Sequence, residues 1–127
     1  MSIPLWSLFI AALMLVLTKA PVAVAQSRSG GYDNAHPRAQ QSQLQGFGAR
    51  ALAAHQNAFE SLIIFATAIL CAIATQTTGE FIQQLAMVHV GSRIVYWILY
   101  LCNLSTLRSI TWFVATSCSF VILYQCL

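Results

Sequence analysis

Residues 50–60 read Arg-Ala-Leu-Ala-Ala-His-Gln-Asn-Ala-Phe-Glu, and just beyond them residues 62–75 form fourteen mostly apolar positions. The pattern is that of a helix entering a membrane with its polar side chains in its first half. An ionisable group near the middle of a bilayer costs roughly 2.5–3.5 kcal/mol on insertion scales. Only 7% of this chain is charged. A sequence so sparing of charge that sets Arg50, His55, Asn57 and Glu60 ahead of an apolar run is expected to use them.

The surrounding composition points the same way. The chain has 127 residues, 58% of them hydrophobic, with a mean hydropathy of +0.71. A soluble domain carries about 25% charged residues, far more than are present here. The expectation is a single integral membrane domain, all-α. The net charge of +3 is the balance of six basic and three acidic residues, and the basic ones, at six separate places, form no stripe of the kind nucleic-acid binding needs. Cys71, Cys102, Cys118 and Cys126 lie in apolar runs without C-x-x-C spacing, so neither a metal site nor a disulfide framework is expected. They read as small apolar side chains.

Working outward, residues 3–17 are apolar with Trp6 near one end, followed by Thr18, Lys19, Ala20 and Pro21. A signal peptide would use Ala23-Val24-Ala25 as its cleavage site, but it requires a basic segment first, and residues 1–4 have none. A first transmembrane helix over about 4–24, with Lys19 reaching toward the headgroups, is the favoured reading. Residues 26–46 form a polar loop with breakers at Gly30-Gly31 and His36-Pro37, within which 37–44 is a candidate short helix with proline at its start. Further helices are expected over about 47–74, 80–101 and 104–127, giving a four-transmembrane-helix bundle. Lys19, Arg28, Arg38 and Arg50 surround the first loop and Arg108 lies at the third connection, while the second holds only Glu80. The positive-inside rule then puts the first and third loops in the cytoplasm.

Helical geometry sorts the polar residues, since each residue advances the helix by about 100°. Arg50 and Asn57 share a face, Glu60 lies within about 60° of Asn57, and His55 points elsewhere. His89, Arg93, Tyr96 and Tyr100 fall on one stripe of the next helix, and Arg108 stands at the entry of the last. In the four-span layout all these groups except His89 lie toward the cytoplasmic side, as one polar pocket requires. Blander roles exist for each. Glu60 could neutralise Arg93 or Arg50, Asn57 could act as interhelical glue, Tyr96 and Tyr100 could be interfacial aromatics, and both histidines could be packing groups.

At these residues the chain resembles the MAPEG family, the membrane-associated proteins in eicosanoid and glutathione metabolism, and in particular its bacterial MAPEG-like branch. The resemblance rests on three pieces: Gly30-Gly31-Tyr32-Asp33-Asn34-Ala35-His36-Pro37-Arg38-Ala39 in the loop, Ala54, Asn57 and Glu60 in the second helix, and Arg93, Tyr96 and Tyr100 followed by Leu107-Arg108-Ser109. It implies a four-helix bundle assembled as a homotrimer in a bacterial inner membrane. It implies glutathione as co-substrate, conjugated to a lipophilic small molecule or used to reduce a peroxide. By matching position, Asn57, Glu60, Arg93, Tyr96 and Tyr100, with Arg50 as a further candidate, would hold glutathione, and Arg108 would stabilise its thiolate. The chain departs from the eicosanoid enzymes at Ala53, where they carry an arginine, at Ser61, often tyrosine there, and in the spacing of Arg108. The competing expectations are a non-catalytic scaffold or partner-binding module of the same fold, and a small proton-coupled exporter. The exporter would need an acid in the first helix, where residues 3–17 have none.

Overall fold

The structure, a computed structural model, describes residues 2–127. It contains α1 (Ser2–Leu17), α2 (Lys19–Arg28), α3 (Pro37–Ser42), α4 (Phe47–Ala74), α5 (Glu80–Leu101) and α6 (Ser105–Gln125), with no strand among the described residues. α1 and α2 follow one course, since only Thr18 separates them and its backbone is helical, at φ −69° and ψ −16°. Pro21 explains the interruption: it has no N–H to give the carbonyl of Leu17. The combined helix runs 27 residues, Ser2–Arg28, past the expected end at residue 24. Ala23-Val24-Ala25 therefore lies inside α2 rather than at the edge of a polar loop.

What carries the helix onward is Gln26, completely buried. Its Nε2 donates to the Pro37 carbonyl and to Gln40 Oε1, both at 3.1 Å, while Gln40 Nε2 donates back to the carbonyls of Gln26 (3.2 Å) and Gly31 (2.7 Å). Asp33 Oδ1 accepts from the backbone N–H groups of Ala35 and His36, each at 3.1 Å, a turn that delivers Pro37 to the first position of α3. α3 ends at Ser42, short of the expected residue 44. The chain then turns through Gly46 at φ +57°, and Gly48 packs so closely that an added Cβ would lie 3.1 Å from Ala25 Cβ and 3.2 Å from Leu44 Cβ. The polar stretch is thus a closed cap fastened to α2 and α4.

α1 with α2, α4 and α6 are each long and apolar enough to cross a membrane. α5 is not among these three, so three of the four expected spans are apolar enough by length and composition. Its 22 residues would extend about 33 Å at 1.5 Å each, so length is adequate. Glu80, Gln83, Gln84, His89 and Arg93 lower its hydropathy. The core joins Ala11 of α1, Phe65, Ala68 and Ile69 of α4, Ile82 and Ala86 of α5 and Ile122 of α6. Alanines at these crossings allow close backbone approach, which drives helix association where lipid is as apolar as the side chains. The exterior is apolar as well, with Trp6, Phe9, Val16, Ile63, Phe113 and Tyr124 exposed. Such a surface would aggregate in water and suits hydrocarbon.

α4 and α5 end alike. Gln76 and Asn103 adopt left-handed backbones, φ 58° and 59°. In each case the next N–H reaches back five residues, from Thr77 to the Ala72 carbonyl (2.8 Å) and from Leu104 to the Leu99 carbonyl (3.0 Å). This is the Schellman closure, which favours glycine and tolerates asparagine. Gln76 is the less comfortable occupant. Gln76→Gly is expected to stabilise the protein by roughly 0.5–1 kcal/mol, read as a rise in melting temperature in detergent; an unchanged or lower value would contradict the strain.

Candidate functional site

The second helix of the resemblance, α4, presents Asn57 and Glu60 one turn apart, and α5 presents Arg93 beside them. Arg93 Nη1 donates to Asn57 Oδ1 at 2.8 Å, and Asn57 Nδ2 donates to Glu60 Oε2 at 3.3 Å. The asparagine therefore stands between the two charges. Among the described residues the only ion pair is His36 with Asp33, so neither Arg93 nor Arg50 neutralises Glu60 by direct contact. Arg93 is 5% exposed, yet Glu60 lies on the surface of the chain.

The stripe on α5 continues from Arg93. Its guanidinium sits 4.2 Å from the centre of the Tyr96 ring. The Tyr96 ring meets Tyr100 edge-on at 5.6 Å, and the Arg108 guanidinium of α6 lies 4.2 Å from the Tyr100 ring. The result is a ladder of cation, ring, ring, cation. A ring face attracts a guanidinium through its quadrupole by about 0.5–2 kcal/mol. Stacking holds the arginines without cancelling their charge, so two guanidiniums face one carboxylate within the cluster. The arrangement can take an anion that also offers a cationic or donor group to Glu60.

Six of the seven candidate residues are brought into this connected set: Asn57, Glu60, Arg93, Tyr96, Tyr100 and Arg108. Arg50 is not. It makes no hydrogen bond or ion pair with them, and its buried Nε has no partner. Sharing a face with Asn57 was insufficient, because seven residues advance a helix by about 10 Å.

His55 turns toward the first helix, where its Nδ1 lies 2.9 Å from Thr18 Oγ1. Thr18 also donates to the Met14 carbonyl at 2.7 Å, so the threonine proton serves that carbonyl and the imidazole can donate to the hydroxyl oxygen. Sequence reasoning gave Thr18 no role, and a single threonine after an apolar run carries no signal for one. Thr18→Val leaves the buried imidazole without its partner and is expected to destabilise by about 1 kcal/mol. A Thr18→Val, His55→Phe double variant should recover part of that loss in thermal melts, and strict additivity would show the contact to be idle.

An open groove of about 640 Å³ runs along α6, lined by Ser105, Thr106, Ser109, Ile110, Phe113 and Val114. No residue of the polar cluster lines it. Its apolar walls suit acyl chains, and it contributes nothing to the anion-binding chemistry above. Among the described residues no group of histidine, cysteine, aspartate and glutamate is placed to hold a metal.

Comparison with known proteins adds one match. The family model for the MAPEG family aligns with residues 3–127, almost the entire chain. No curated protein and no solved structure matches. The matched span contains α4, α5 and the entry of α6, hence all of the cation–ring ladder with Asn57 and Glu60. The chain belongs to the MAPEG family.

Proposed function

We propose that this protein binds glutathione at the Asn57, Glu60, Arg93, Tyr96, Tyr100 and Arg108 cluster and joins it through its sulfur to a lipophilic electrophile. The observation that carries the reading is the ladder of two arginines stacked on two tyrosines, with only Glu60 to balance them. Glutathione offers a carboxylate for Arg93, an ammonium for Glu60 and a thiol for Arg108. At the sulfur, Arg108 favours the thiolate over the thiol. The thiol proton leaves to solvent, and the thiolate lone pair forms the new carbon–sulfur bond as a leaving group departs. In peroxide reduction the same lone pair forms an S–O bond as the O–O bond breaks, and the alkoxide leaves and takes a proton as the alcohol. A second glutathione thiol then displaces water from the sulfenic acid to give the disulfide. The bilayer supplies the apolar substrate by lateral diffusion.

α5 serves as the fourth span in this reading, its polar side turned inward and its apolar residues toward lipid. Lys19, Arg28, Arg38, Arg50 and Arg108 put the first and third connections on the cytoplasmic side, in keeping with a bacterial inner-membrane protein. Surface-exposed Glu60 would face hydrocarbon in an isolated chain, at considerable cost. A neighbouring copy covering it in a homotrimer removes that cost and completes the ligand site.

The test is a melt of the purified protein in detergent with and without glutathione. Ligand at a hundred times its dissociation constant stabilises by about 2.7 kcal/mol, and the shift should disappear in Glu60→Gln. A second reading, a non-catalytic member that serves as scaffold, draws support from Arg50. With that side chain outside the cluster the site has one cation fewer. It predicts no shift at millimolar glutathione.

A further inference from the structure

His89 is 1% exposed and is used by nothing described so far. Its ring stacks flat on Phe65 of α4, centroids 3.8 Å apart and planes within 5°. Its Nδ1 lies 2.9 Å from the Ala115 carbonyl of α6 and 3.2 Å from Ser119 Oγ. A carbonyl can only accept, so Nδ1 carries the hydrogen and Nε2 is a bare acceptor. No protein group bonds Nε2. On the α1 and α4 side of the ring is a cavity of about 10 Å³, room for the centre of one water molecule, lined by five apolar side chains of α1, α4 and α5 together with Ser61, His89 and Arg93. Arg93 has five N–H donors, more than its contacts with Asn57 and Tyr96 use. Ser61 is partly buried and its hydroxyl has no protein partner.

We propose that this cavity is a binding site for a single water molecule, which donates to His89 Nε2 and accepts from Arg93, with Ser61 Oγ as its third partner. Empty cavities in proteins are apolar, and internal waters typically make about three hydrogen bonds to groups otherwise unsatisfied. Three polar side chains, His89, Arg93 and Ser61, border this one. The water joins two networks into a single chain, from the Ala115 carbonyl through His89, water, Arg93 and Asn57 to Glu60. His89 thereby becomes a positioning residue: it fixes through the water which way the Arg93 fork is turned. It also gives Ser61 a place outside the anion cluster.

The site can be examined without any ligand, so its failure and that of the glutathione reading are separable. Protein labelled with nitrogen-15 in its histidines, in detergent micelles, should show His89 protonated at Nδ1 and unprotonated at Nε2. Magnetisation transfer should link the His89 ring protons to a long-lived water. Ser61→Val, which fills the cavity with methyl groups but leaves the Ala115 contact intact, should abolish the water signal and keep the same tautomer. A proton on Nε2 in the wild type, absence of the water contact, or its persistence in Ser61→Val would each overturn the assignment.

Discussion

Replacing Arg108 by alanine will lower the rate of glutathione conjugation to 1-chloro-2,4-dinitrobenzene by about 10²–10³-fold at saturating glutathione, the usual effect of removing one preorganised group that stabilises developing or anionic charge. The guanidinium is half-buried against the Tyr100 ring, 4.2 Å from its centre. Losing that stack costs roughly 0.5–1 kcal/mol of stability, so the variant should remain folded and retain much of its glutathione affinity. Arg108→Lys sharpens the distinction. Lysine restores a charge but not the planar group that lies on the ring, so it should recover only part of the rate. Normal turnover in Arg108→Ala would remove this residue from the chemistry.

Arg93→Met should act on binding instead. Truncating one side of a buried, charge-assisted contact with an anion costs about 2–5 kcal/mol, which corresponds to a loss of roughly 30-fold or more in affinity. Methionine keeps much of the apolar stem that Arg93 buries and relieves the chain of a buried cation, while Asn57 keeps its bond to Glu60 at 3.3 Å. Its melting temperature should therefore change little while the glutathione-dependent shift vanishes. A shift of wild-type size in Arg93→Met would place the ligand elsewhere. A collapse of the unliganded fold would instead identify Arg93 as a structural strut.

The sequence carries the class of the fold and the family because both depend on long-range averages: the scarcity of charge, the apolar runs, and short motifs in fixed order. It was less informative wherever one helix chooses a neighbour. Nothing in residues 3–17 says that Thr18 will meet His55, and a backbone carbonyl such as Ala115 leaves no mark in the sequence that His89 could be matched to. The end of the first helix was misplaced because Gln26 reads as a polar loop residue until Gln40 and the Pro37 carbonyl satisfy its amide. The helix over 80–101 was counted as one of four spans, although its polar side chains set α5 apart from the three apolar ones. Face-sharing suggested Arg50 and a stripe suggested Arg93. Only the latter lies at the same height as Asn57.

The cap between α2 and α4 also bears on how the chain is made. Once residue 74 has left the ribosome, the Gln26–Gln40 amide exchange and the Thr18–His55 contact already have every partner they need. The N-terminal hairpin can close in the bilayer before α5 exists, in the usual N-terminal-first order of synthesis. When α5 follows, Arg93 finds Asn57 waiting, whereas His89 must remain unpaired until α6 brings the Ala115 carbonyl. Biogenesis thus has one natural resting point after the hairpin and one exposed interval before the last helix. In that interval His89 has its stacking partner Phe65 but neither the Ala115 carbonyl nor Ser119.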